Sequence, residues 1–140
     1  NDGEEIVDKV WRKGRTLDGW NSDKYRLDAA GAIMVKSHRG TDDIYDWEID
    51  HVLPKAKMQE FGIPEEKWDD IENLRPFNAK NNNRKSDDYP EYTRALVFDE
   101  AQRRNVESEI GIVVNEDVQC QINSHYGLRL RVVLGDHSLD

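Results

Sequence analysis

Two adjacent side chains near the middle of the chain have the types needed for acid–base and metal chemistry. Asp50 and His51 lie in the run WEIDHVLP at residues 47–54. A carboxylate is a hard oxygen ligand that suits magnesium or a similar divalent ion. An imidazole accepts a proton near neutral pH without special tuning. An Asp-His pair is common by chance, so this pair alone favours no function.

Two asparagines further along the chain extend this chemistry. Asn82 offers a neutral amide oxygen as a second metal ligand, which leaves positions for water and substrate oxygens. Asn73 suits a supporting role, in which its amide binds the backbone of the loop carrying His51 or the imidazole nitrogen that does not react. Together the four side chains could activate water beside a metal-bound phosphate.

Basic residues accompany these groups in an otherwise acidic chain. Lys80, Arg84 and Lys85 are expected to form a positive edge that contacts phosphates. Arg26 and Arg39, earlier in the chain, are further candidates for clamping a phosphate, and the alternative for each is a structural salt bridge.

The elements that must position these groups follow from local patterns. Apolar and polar residues alternate at 47–50, which predicts a half-buried strand that Pro54 ends. A second apolar run at 71–77 leads into a polar segment, 78–85, with helical spacing. Adjacent residues of a strand point to opposite sides, so Asp50 and His51 need a twist to reach one phosphate.

The segments EIDHVLP (48–54), ENLRP (72–76) and NNRK (82–85), with a nine-residue step from Asn73 to Asn82, resemble the HNH endonucleases. The resemblance implies an α+β chain with a ββα-metal core at 47–88. It implies that Asp50 and Asn82 bind one divalent ion, Mg²⁺ or Mn²⁺, that His51 is the general base, and that Asn73 orients it. The implied reaction is metal-dependent hydrolysis of phosphodiester bonds in nucleic acid, with DNA expected before RNA.

The chain departs from this family in two ways. Many members bind a structural zinc through two CxxC pairs, whereas this chain has one cysteine, Cys120. Asn78 and Asn81 stand where the second pair would fall, so no structural zinc is expected. The connection at 55–70 is also longer than the usual short turn, which suggests a small helix, a lid or a partner surface.

The flanking regions predict further elements around the core. We expect a helix at 4–15, a hairpin at 25–36, strands at 94–98, 109–114 and 128–134, and a helix starting at 115–117 and ending at Gly127. The full 140 residues are expected to form one domain, with a C-terminal extension at 93–140. No signal or membrane-spanning segment is visible, so we expect a soluble, cytoplasmic protein without a membrane partner.

The net charge of −9 leaves the partners open. Acidic residues can occupy solvated faces around a locally basic substrate surface, or the acidic surface can meet a basic protein or act beside other domains. Two alternatives to a nuclease that acts alone therefore remain. One is a catalytically silent scaffold that binds proteins, and the other is a toxin-type nuclease domain with a neutralising partner.

Overall fold

A computed structural model describes the backbone of residues 2–135 and the side chains of residues 5–135. The helices within this range are α1 (Asp2–Trp11), α2 (Lys55–Glu60), α3 (Ala79–Lys85) and α4 (Glu116–Tyr126). The strands are β1 (Tyr25–Leu27), β2 (Ile33–Val35), β3 (Trp47–His51), β4 (Leu74–Asn78), β5 (Glu91–Thr93), β6 (Leu96–Asp99), β7 (Arg104–Glu107) and β8 (Gly111–Val113). They pair as antiparallel ribbons β1–β2, β3–β4, β5–β8 and β6–β7. The α+β class expected from the sequence is confirmed.

The ribbon β3–β4 and helix α3 form the centre of the structure. Trp47 pairs with Asn78 and His51 pairs with Leu74 across the two strands. All five residues of β4 are buried. Asn78 then begins α3, because its side-chain oxygen accepts hydrogen bonds from the amides of Lys80 and Asn81. The strand, strand and helix expected at 47–85 are therefore present in the expected order.

Two hydrophobic clusters hold this centre. One contains Phe77 and Val52, packed with residues of α4 and β8. The other contains Trp11 and Trp47, whose ring centroids lie 5.1 Å apart, and it joins α1 to β3. Each large apolar side chain buried in this way contributes roughly 1.5–3 kcal/mol to folding. The ribbon is thus held from both flanks.

A buried polar cluster lies where the resemblance would place a zinc-binding pair. The Asn81 side chain is fully buried, donates to Asp28 Oδ2 at 3.1 Å and accepts from the amides of Ala95 and Leu96. Asp28 Oδ2 also accepts from the Asn78 amide at 3.0 Å. Burial raises the pKa of Asp28. The cluster ties the β1–β2 turn to α3 and to β6.

The β1–β2 hairpin confirms the expectation for residues 25–36. Its turn is set by Asp28, whose Oδ1 accepts from the amides of Ala30 and Ala32. Gly31 follows with φ of 92°, a left-handed conformation that a side chain would disfavour. The helix expected at 4–15 is shorter than predicted, because the chain leaves α1 at Trp11 and Arg15 pairs with Leu27.

The C-terminal extension differs most from expectation. The segment expected at 94–98 overlaps β6, the segment expected at 109–114 contains β8, and helix α4 begins after Asn115 and ends at Gly127 as predicted. The strand expected at 128–134 is wrong, because these described residues form no strand. The Gln119 side chain on α4 instead binds both the amide and the carbonyl of Val133. Residues 136–140 of the extension lie outside the described range.

No helix within the described range is long and apolar enough to cross a membrane.

Candidate functional site

The end of β3 directs its carboxylate and its imidazole to different surroundings. The Asp50 side chain is 6% exposed and faces α3, whereas the His51 side chain is 20% exposed and faces the connection at 55–70. Alternation along a strand explains the divergence. The half-buried pattern expected for β3 is therefore wrong at Asp50, which is buried although polar.

Asp50 is the anion of a buried ionic cluster. Arg75 lies directly opposite on β4, and its Nε donates to Asp50 Oδ2 at 3.1 Å. The Nζ of Lys85 lies 3.6 Å from Asp50 Oδ1 and donates to the His51 carbonyl at 3.2 Å. Two cations therefore compensate one buried carboxylate, as burial of a charge requires.

Lys85 has a different environment from the one expected. Its side chain is fully buried, so in this structure it does not form part of an exposed phosphate-binding edge. Burial lowers the pKa of Lys85 to about 8, against the opposing effect of Asp50. Its contacts hold Asp50 and the end of β3 in place.

The His51 ring meets a carboxylate that the sequence patterns did not identify. Its Nε2 lies 2.7 Å from Oδ1 of Asp69, whose side chain is 77% exposed. Asp69 belongs to the connection at 55–70, which contains the expected small helix as α2. The only sequence signal for Asp69 is its place in the acidic stretch DDIE after Trp68.

Asn73 holds the backbone that follows His51. Its Oδ1 accepts from the Leu53 amide at 2.8 Å, and its Nδ2 donates to the Leu53 carbonyl at 3.0 Å. The side chain is fully buried. The sequence predicted that Asn73 binds either the backbone or the imidazole of His51, and in the structure it binds the backbone.

Asn82 lies on the face of α3 that packs against β3. Its Nδ2 lies 3.5 Å from Oε1 of Glu48. Glu48 and Asp50 share one face of β3, since they are two residues apart, and Asn82 and Lys85 share one face of α3. Asp50 and Asn82 therefore belong to the two surfaces that face each other.

The oxygen donors on these surfaces fit a divalent ion in type. The Lys85 Nζ lies 3.6 Å from Asp50 Oδ1, which is longer than a hydrogen bond, so this oxygen can serve as a ligand. Asn82 supplies an amide oxygen. Magnesium commonly takes one or two protein oxygens and completes its shell with water and phosphate oxygens. Among residues 5–135 there is no group of three or more His, Cys, Asp or Glu side chains that could hold a metal. The fit therefore depends on the pair Asp50 and Asn82.

The remaining basic candidates divide into two kinds. The Arg26 guanidinium donates to three backbone carbonyls, those of Arg12, Gly14 and Ser22, and this bonding is structural. Arg84 is 44% exposed with Glu109 at 3.8 Å, and the Arg39 guanidinium lies 5.8 Å from the centre of the Trp47 ring. Lys80 is half-buried at the start of α3. Arg39, Arg84 and Lys80 remain accessible as phosphate contacts.

Arg75 is the other functional candidate missed in the sequence. Its guanidinium carbon lies 4.5 Å from the centre of the Phe77 ring while its Nε holds Asp50. An apolar run such as 71–77 gives no reason to expect a buried arginine, and its burial is explained by the cross-strand pairing with Asp50.

Comparisons with protein-family models, with curated proteins and with solved structures gave no match. The likeness to the HNH endonucleases is therefore carried by the residues and spacings of this chain alone.

Proposed function

We propose that this chain is a metal-dependent endonuclease of the HNH type with a ββα-metal core. It hydrolyses phosphodiester bonds in nucleic acid, and DNA is the preferred substrate in this proposal. The observation that carries the proposal is the order of β3, β4 and α3 along the chain and the packing of α3 against β3. Asp50 and His51 end β3, Asn73 begins the return to β4, and Asn82 faces β3 from α3. The exposure of the His51 ring supports a role in contact with solvent.

The residues divide the work of hydrolysis as follows. His51 accepts the proton of the attacking water. Asn73 holds the backbone at Leu53 and so limits the movement of the segment bearing His51. Arg75 and Lys85 hold the Asp50 carboxylate in its orientation.

Asp50 and Asn82 are the residues that would hold the metal, Mg²⁺ or Mn²⁺. When bound, such an ion supplies Lewis-acid polarisation of a phosphate oxygen and stabilises negative charge on the leaving oxygen. Lys80, Arg84 and Arg39 would neutralise neighbouring phosphates. Because the net charge is −9, the footprint on the substrate is expected to be small and local.

The proposal is tested by nicking of supercoiled plasmid in Mg²⁺ and in Mn²⁺. We expect nicking by the wild type, its loss in EDTA, and a loss of roughly a hundredfold or more in His51→Ala, since general base catalysis contributes about 10²–10⁴-fold. His38→Ala is the matched control, because His38 also pairs with an aspartate, Asp43 at 2.8 Å, and lies outside the site. Equal nicking by wild type and His51→Ala would refute the assignment of the base, and no metal-dependent nicking of any nucleic acid would refute the function.

A second function is favoured by one observation, the neutralisation of Asp50 by Arg75 and Lys85. A carboxylate already compensated by two cations attracts a third less strongly. On this basis the chain would be a catalytically silent scaffold whose acidic surface binds a basic protein. Calorimetric binding to a lysine-rich peptide in EDTA, with no nicking in metal, would support this alternative, and nicking that requires His51 would exclude it.

A further inference from the structure

We infer that Asp69 is the positioning residue of His51, which fixes the imidazole tautomer so that Nδ1 is the atom that takes the proton from water. The inference rests on the proposed nuclease function and names a further residue of the same site. The separation of 2.7 Å between His51 Nε2 and Asp69 Oδ1 is that of a strong, charge-assisted hydrogen bond.

The tautomer follows from the donor and acceptor capacities of the two groups. An ionised carboxylate only accepts hydrogen bonds, so the nitrogen facing Asp69 carries the hydrogen. In a neutral imidazole the other nitrogen then holds the lone pair. Nδ1 of His51 therefore carries the lone pair that can accept a proton, while Nε2 donates to Asp69.

The segment that presents Asp69 is anchored on both sides. The Trp68 indole donates to the Ile63 carbonyl at 2.7 Å. On the other side Asp70 lies 2.9 Å from His125 Nε2, and the Tyr126 hydroxyl donates to the Lys67 carbonyl at 2.8 Å. His125 and Tyr126 belong to the last turn of α4, so the C-terminal extension braces the segment that faces His51.

Because Asp69 is exposed, its effect on the His51 ring can be measured apart from its effect on stability. Its side chain is 77% exposed, and polar contacts of a carboxylate at so exposed a position contribute little to folding. Substitution of Asp69 should therefore leave the fold intact while it frees the imidazole to rotate and change tautomer. A loss of activity in a folded variant would then report on His51 alone.

The kinetic test compares Asp69→Asn with Glu66→Gln, which removes the same charge from an exposed position of the same connection. We expect Asp69→Asn to lower kcat for plasmid nicking roughly ten- to a hundredfold with KM changed less than about threefold, because such outer hydrogen-bond partners typically carry effects of this size. Glu66→Gln should match the wild type. Unchanged or faster nicking by Asp69→Asn would overturn the inference and leave the nuclease function standing.

The second measurement requires no activity. Long-range ¹H–¹⁵N spectra of the wild type should show hydrogen on His51 Nε2 and a lone pair on Nδ1, with the Nε2 hydrogen protected from exchange with water. Asp69→Ala, which leaves no acceptor for this hydrogen, should lose the protection, and Glu66→Ala should keep it. A wild-type spectrum with the hydrogen on Nδ1, or unaltered protection in Asp69→Ala, would overturn the inference even if no nucleic acid is cleaved.

Discussion

The buried amide of Asn81 is expected to be one of the most sensitive single positions for folding. Its four hydrogen bonds reach Asp28, the Leu96 carbonyl, and the amides of Ala95 and Leu96, at 2.7–3.2 Å. Asn81→Ala removes all four, and the groups left behind are buried or partly buried. At about 1 kcal/mol for each bond lost, the substitution should lower the free energy of unfolding by about 3–5 kcal/mol. Typical domains have about 5–15 kcal/mol in total, so the variant should be near its limit of stability.

Urea unfolding followed by far-ultraviolet circular dichroism and by tryptophan fluorescence measures this loss. Trp11 and Trp47 are both buried, so fluorescence reports on the centre of the fold. Asn83→Ala, two residues away on the same helix, is the matched control, because Asn83 is exposed and its substitution should change stability by less than about 0.5 kcal/mol. An Asn81→Ala protein within 1 kcal/mol of the wild type would refute the view that this polar cluster holds α3 against the hairpin and β6.

Two further predictions concern stability. Burial lowers the pKa of Lys85 to about 8 in the folded state, so between pH 8 and 10.5 the unfolded chain binds the proton more tightly than the folded chain does. The free energy of unfolding of the wild type, measured in EDTA relative to that of Lys85→Met, should therefore rise by up to about 3 kcal/mol over this pH range. Parallel pH-dependent urea titrations measure the difference, and curves that stay parallel would contradict it. Gly127→Ala should cost about 1 kcal/mol by thermal unfolding, since Gly127 ends α4 with φ of 65°, while Gly111→Ala, in a strand, should cost clearly less.

Much of the fold could be predicted because its signals are local. The alternation at 47–50, the proline at 54 and the polar helix after Asn78 each depend on residues within a few positions of one another. The same holds for α4, which begins after Asn115 and ends at Gly127. The strand predicted at 128–134 failed because alternation does not supply a hydrogen-bonding neighbour, and Gln119 binds this backbone instead.

The candidate site was predictable only in part. The types and order of Asp50, His51, Asn73 and Asn82 were visible in the sequence, which left open whether Asn73 binds the backbone or the imidazole. The inward position of Lys85 was not, since a lysine in a polar helix is most often solvated. Its burial depends on the carboxylate of Asp50, which lies on another element.

The sequence by itself determined which chemical groups are present, the order of their elements and the nine-residue spacing from Asn73 to Asn82. Only the tertiary structure decided which groups meet: Asp50 with Arg75 and Lys85, His51 with Asp69, and Asn81 with Asp28. Backbone periodicity acts over a few residues, whereas these pairs join segments that come together only when the apolar clusters pack. Side-chain partners of this kind are set by that packing, because a buried charge or amide must find its partner among whatever groups the fold brings beside it.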